Sequence, residues 1–315
     1  MSFAVNLQDR IAKVNSRLCV GIDPDLTKIP VEIFDKSAEK GFGGPALAGR
    51  MLTEFSTRII DAVAAHAACV KPNVAFFERY GTAGLASYYG VCSYAREQGL
   101  MVIADMKRGD IGSTAKAYAE GIFGPVSVPV KTGGFEDQEL LAIDAVTLSP
   151  YLGADTLEPL IEYALKAEKG MFILCKTSNP GSGDLQDLTI EGEALYMRVA
   201  KMIQGLIDKH DPQDSQTFSS IGAVVGATYP EQLGEIRGVL KNSFFLIPGF
   251  GAQGGTAKDL DGAFYPCGNG AIINSSRGVI FAGLKDEYKG VDFFEAAADA
   301  ALKAKEAINT AVPQA

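Results

Sequence analysis

Eight short apolar runs, each followed by a stretch of helical spacing, constrain this chain more than any other feature. The runs lie at residues 18–22, 67–71, 100–104, 142–148, 171–175, 221–225, 244–247 and 271–274. Strand-length runs rich in Val, Ile and Leu read as parallel strands buried on both faces. Apolar residues recur at helical spacing in the intervals between them and again over 292–308. Such an alternation within 315 residues predicts an α/β fold, a (β/α)8 barrel forming one domain over 1–315. A doubly wound open sheet is the alternative, but no G-x-G-x-x-G follows the first run. Phe3, Leu7, Ile11 and Val14 share helical spacing, so a short helix over 3–16 is expected to close the bottom of the domain. Loop insertions are expected at 36–45 (polar, Gly-rich) and at 124–137 (an irregular excursion or an extra hairpin). The segments 181–188 and 211–219 read as a flexible polar loop and a polar linker.

The ends of these runs carry the chemistry. In a parallel sheet, ligands are handled at the carboxyl ends of the strands. The first run ends at Asp23 and the second at Lys71-Pro72-Asn73. The third continues into Asp105-Met106-Lys107-Arg108-Gly109-Asp110. Residues i and i+2 of a strand share a face, so Asp105 and Lys107 are expected side by side. Any one of these groups alone reads as a surface ion pair, which is worth little. Three charged strand ends in one chain favour a site. The last two runs end in Pro248-Gly249-Phe250-Gly251-Ala252-Gln253-Gly254-Gly255 and in Ser275-Ser276-Arg277-Gly278. In barrels of this kind the loops after strands seven and eight commonly hold phosphate. Glycines leave backbone amides open to an anion, and Arg277 offers a fork of donors.

Composition narrows the class. A net charge of −9 leaves no basic field for nucleic acid, so an anionic ligand must be drawn by a local cluster. Five cysteines, odd in number and never in C-x-x-C spacing, point to reduced buried thiols rather than disulfides or a zinc site. The two histidines, His66 and His210, fall near predicted helix ends, which gives little support for nucleophile-and-base catalysis. Lys71 would repel a metal at the strand-two position, so no metal or cofactor is expected. No apolar run reaches membrane-spanning length and residues 1–17 hold no signal-peptide core, so a cytoplasmic protein without membrane or nucleic-acid partners is expected.

With these residues assembled, the chain resembles the orotidine 5′-phosphate decarboxylase family, in its longer bacterial subgroup. The D-x-K-x-x-D-I motif stands at Asp105 to Ile111, followed by Thr114, and the segments GIDP, VKPN, LSPYLG, TSNPG, PGFGAQGG and SSRG occur in order. The resemblance implies cofactor-free decarboxylation of OMP to UMP in pyrimidine biosynthesis. Lys71, Asp105, Lys107 and Asp110 would form a charged array at the reacting carbon. Asp110, Ile111 and Thr114 would reach the partner's site in a homodimer. Asp23 and Asn73 would contact the ribose and Ser149 the pyrimidine. Pro248, Gly249, Gly251, Gln253, Arg277 and Gly278 would hold the phosphate, Gln253 as part of a lid. Two rivals remain open here: magnesium-dependent sugar-phosphate enzymes of the same barrel group, which carry an acid where this chain has Lys71, and a catalytically silent sensor of phosphoribosyl ligands.

Overall fold

Each of the eight apolar runs forms a strand, and each strand pairs in parallel with the next until the eighth returns to the first. This computed structural model describes residues 1–213, 217–228, 230–249, 260 and 262–313. The barrel strands are β1 (Leu18–Ile22), β2 (Cys69–Pro72), β3 (Met101–Arg108) and β4 (Ala145–Leu148). They continue as β5 (Gly170–Lys176), β6 (Ser219–Val225), β7 (Ser243–Ile247) and β8 (Ala271–Ser275). The closed (β/α)8 barrel is therefore the architecture, and the open-sheet alternative falls away.

Side chains alternate between two apolar layers, as the pleat requires. Leu18, Val20 and Ile22 of β1 and Val102 and Ala104 of β3 face outward into the layer shared with the surrounding helices. Cys19, Cys69, Ile103, Ala145, Phe172, Phe244 and Ile272 face inward and fill the barrel. Below them lies α1 (Phe3–Val14), whose Phe3, Leu7 and Ile11 join this inner cluster. The helix closes the bottom, as its spacing predicts. Phe3 meets Phe172 edge-on at 5.9 Å between centroids, and Gly170 makes room for it: a Cβ there would stand 2.1 Å from the Phe3 ring.

Three of the expected loops contain regular structure. The helix α2 (Val31–Ala38) runs into the first insertion, ahead of α3 (Gly44–Val63) and α4 (Gly81–Glu97). The second insertion is an antiparallel hairpin, Val126–Pro129 against Phe135–Gln138, which selects one of the two readings offered for it. The supposedly flexible polar loop after β5 contains a helical turn at Gly183–Gln186 and a small hairpin at Thr189–Ile190 and Glu193–Ala194. The helix that follows runs over Leu195–His210. Cys19, Cys69, Cys92 and Cys175 are buried free thiols, and Cys267 is free and exposed. Among the described residues no helix is long and apolar enough to cross a membrane.

Candidate active site

The inward positions of β1, β2 and β3 continue upward into charge. Cys69 is followed two residues on by Lys71, and Ile103 by Asp105, so both charged groups occupy the uppermost inward layer of the barrel. A cavity of 240 Å³ opens over them, lined at that level by Lys71, Asp105, Lys107, Thr147, Leu174, Val224 and Leu246. Pro248 and the chain after β5, Thr177-Ser178-Asn179, complete its wall.

Asp105 is the hub. Lys71 Nζ lies 2.5 Å from its Oδ2, and Lys107 Nζ lies 2.5 Å from its Oδ1. The Thr147 hydroxyl donates to the same Oδ1 at 2.9 Å. Burial alone would push the Asp105 carboxyl up, but the ammonium groups of Lys71 and then Lys107 hold it well below the ordinary carboxylate range. Burial likewise opposes the charge on Lys71, and the Asp105 and Asp23 carboxylates overcome it and raise its pKa. The side chains of Lys71 and Asp105 are 9% and 7% exposed, whereas that of Lys107 is 49% exposed. Lys107 is thus the member of the array that offers its ammonium to the cavity.

Lys107 reaches that place by a break in the strand. Its φ is 48°, in the left-handed region that a lysine seldom adopts, and the β3–β4 register shifts between Ala104 and Arg108. Regular alternation therefore stops at Met106. The amides freed from the ladder are caught by one side chain: Met106 N and Lys107 N donate to Thr147 Oγ1 at 3.1 and 3.0 Å. Thr147 both holds the bulge and fixes Asp105. The sequence gives no sign of this, because a threonine in an apolar strand reads simply as a β-former.

At the end of β1, Ser276 donates to Asp23 Oδ2 at 2.5 Å, while Asp23 Oδ1 is buried with no hydrogen-bond partner among the described residues. Asn73 bridges to Asp105 along the backbone, and its Oδ1 accepts from Ala75 N at 3.2 Å. Gly249 has a φ of 101°, a conformation glycine adopts freely. Arg277 opens a four-residue helix that includes Gly278, and its side chain is exposed. Gly251 and Gln253 lie outside the described residues.

The second half of the motif points elsewhere. Asp110 is half-buried and accepts from Ile111 N at 2.8 Å, while Ile111 is 62% exposed and Thr114 is exposed. None of the three lines the 240 Å³ cavity. Ser149 donates its amide to Arg108 O at 2.8 Å and borders an adjoining 560 Å³ hollow. Leu174 is common to both spaces.

The loop after β5 owes its order to a fully buried lysine. Lys176 Nζ lies 2.6 Å from Asp187 Oδ1 across the loop. Gln186 ties the start of the loop, accepting from Thr177 N at 2.9 Å and donating to its hydroxyl at 2.8 Å. Thr177 and Ser178 were not singled out from sequence, although the TSNPG segment that contains them is one of the matched motifs.

Comparison with known proteins gives the family. Residues 16–289 match the model of the orotidine 5′-phosphate decarboxylase / HUMPS family. The chain belongs to that family. Within it, a relative from Rhodopirellula baltica named orotidine 5′-phosphate decarboxylase is 45% identical over 91% of each chain. Another of that name from Clostridium acetobutylicum is 40% identical, covering 96% of this chain and 97% of its own. The solved OMP decarboxylase of Leishmania donovani superimposes with a TM-score of 0.72 at 33% identity, covering 99% of this chain and 98% of that one. As a member of the orotidine 5′-phosphate decarboxylase / HUMPS family, the chain keeps its charged array on the strands, while the motif's distal aspartate stands outside the cavity.

Proposed function

We propose that this chain decarboxylates orotidine 5′-phosphate to UMP and CO₂, with Lys107 stabilising the carbanion left at C6 and then protonating it. The observation that carries this reading is Asp105 clasped between Lys71 and Lys107 at the floor of the strand-end cavity. Loss of CO₂ leaves an electron pair in an sp² orbital with no ordinary sink. A fixed ammonium facing that carbon supplies both the countercharge and the proton. Asp105 keeps the two lysines charged and aimed, and Thr147 keeps Asp105 from turning away.

The rest of the site is assigned on the same footing. The unpartnered Asp23 Oδ1 suits a ribose hydroxyl, with Asn73 beside it. The polar edge of the pyrimidine falls to Thr177 and Ser178, which line the cavity, rather than to Ser149 alone. Pro248, Gly249, Arg277 and Gly278 border the phosphate, joined by Gly251 and Gln253. A homodimer brings Asp110, Ile111 and Thr114 to the neighbouring subunit's cavity. Exposed apolar side chains on two consecutive connections, Ile111 after β3 and Tyr151 and Leu152 after β4, support such an interface. No metal or cofactor takes part, and the chain works in the cytoplasm. The buried, paired Lys71 speaks against the magnesium-dependent alternative, which needs an acid at that position.

The direct test is to add OMP to the purified protein and follow the orotate absorbance band. The band is expected to disappear as UMP forms; a band that persists with folded protein rejects the assignment and favours the silent sensor.

A further inference from the structure

Outside the barrel wall, α2, α3 and α4 line a further cavity, of 580 Å³. Small residues make the space: Ala46 and Gly49 of α3 face Ala83, Ala86 and Gly90 of α4. Gly49 sets the helix approach, since a Cβ there would stand 2.8 Å from the Ala83 carbonyl oxygen. Three cations line this cleft in a chain whose net charge is −9: Lys36 and Lys40 from the end of α2 and the turn beyond it, and Arg50 from α3.

Among the described residues none of the three has a carboxylate partner. The Arg50 guanidinium rests on the Phe42 ring, 4.5 Å from its centroid, and its Nε is buried without a hydrogen bond. Ser37 lines the cavity at 5% exposure, and its hydroxyl makes no hydrogen bond to a described residue. Ser87, equally buried, is paired with Thr53 Oγ1 at 2.8 Å, and Thr53 in turn donates to the Gly49 carbonyl oxygen at 3.0 Å, so these two hydroxyls are satisfied within the protein. A buried guanidinium nitrogen ordinarily finds a partner, so the open Arg50 Nε, beside two exposed lysines without carboxylate partners, asks for an acceptor-rich occupant.

We infer that the cleft is a second binding site, separate from the strand-end cavity, for a polyphosphate of nucleotide size. Its volume falls within the roughly 300–1,000 Å³ of small-molecule sites, more than an isolated phosphate fills. Cations spread over two helices and the turn between them match a run of phosphoryl groups rather than one. The carboxylate in the lining, Glu54, disfavours a bare inorganic anion and accepts from a hydroxyl at the ligand's unphosphorylated end.

The test is titration calorimetry of the full chain with UTP as probe, in excess UMP so that the strand-end cavity is already filled. One UTP per chain should bind, pyrophosphate should compete for the same site, and the affinity should fall as salt is raised. The K36E/K40E double variant should lose at least about tenfold in UTP affinity, from two lost charge-assisted contacts, with OMP turnover unchanged. The inference is overturned if UTP gives no binding at millimolar concentration, or if K36E/K40E binds it as wild type does. It is equally overturned if orthophosphate binds as tightly as UTP, because the cleft is then a general counter-ion surface.

Discussion

Asp105 and Asp110 belong to one seven-residue motif, yet their surroundings are opposite. Asp105 is buried, held by two ammonium groups and a hydroxyl of its own chain. Asp110 is half-buried and accepts from the amide of the next residue. The first is satisfied where it stands. The second, followed by the exposed Ile111 and Thr114, has its functional surroundings still to be supplied. Under the proposed function, this motif serves two sites: the strand part its own subunit's, the loop part a neighbour's.

The sharpest way to break that division is Lys107→Ala. Turnover of OMP should fall by at least about 10⁴-fold, because stabilisation and protonation of the carbanion are lost together. Circular dichroism should show the fold intact. Near-normal turnover by the folded variant would remove Lys107 from the chemistry.

Mixing comes next. Asp110→Ala should be as inactive as Lys107→Ala, but the two combined should recover activity if Asp110 serves the partner. With free exchange of subunits, half the dimers are mixed and one of their two sites is intact, so recovery should approach about a quarter of wild type. No recovery despite proven exchange would return Asp110 to its own chain's site.

Stability separates the two aspartates in another way. Asp105→Asn leaves Lys71 buried without its counter-charge, which should cost about 3–5 kcal/mol in denaturant unfolding. Asp110→Ala should change stability by less than about 0.5 kcal/mol. The pH dependence follows from the directions of the shifts. Asp105 is held below the usual range, so its contribution is complete above about pH 4 and drains away as the pH falls through its folded-state value. Lys71 is held above its usual value, so its contribution is complete below about pH 10 and is lost as the pH rises through its folded-state value. The penalty of Asp105→Asn should therefore be the same at pH 7 and pH 5. The penalty should then shrink as the pH is taken from 4 to 3, and one that stays constant over that range would mean that the lysines do not lower the Asp105 carboxyl.

An effect smaller than that of Asp105→Asn is expected from Thr147→Val, which preserves shape and removes the hydroxyl. The amides of Met106 and Lys107 lose their acceptor, at a cost of about 1–3 kcal/mol in unfolding free energy. Turnover should drop with little change in KM, since Lys107 and Asp105 lose aim rather than charge. A variant with wild-type stability would show that the bulge is held by other contacts.

The barrel was legible because its information is local and repeated. Runs such as 100–104 and 221–225 are apolar and β-branched, and each stops at a glycine or a charge. The strand-end charges were legible for the same reason, since Lys71 and Asp105 continue an inward parity that the pleat imposes. Thr147 was not, because its role exists only beside the broken ladder of β3. The order of the loop after β5 was also hidden. Its polar composition suggests mobility, and the contacts that fix it, Lys176 to Asp187 and Gln186 to Thr177, form only when the chain doubles back. The helix over Val31–Ala38 carries Ser and Lys at its end, which blurs its boundary with the glycines that follow.

The N-terminal helix beneath the barrel has a consequence for synthesis. Phe3, Leu7 and Ile11 leave the ribosome ahead of every strand, while Phe172 and Phe244, which share their cluster, emerge only after more than half the chain. Until then the oily stripe of the nascent helix has no permanent cover. The floor of the barrel is thus translated ahead of the strands it covers and is among the last parts to be sealed, so its apolar face stays open while the chain grows.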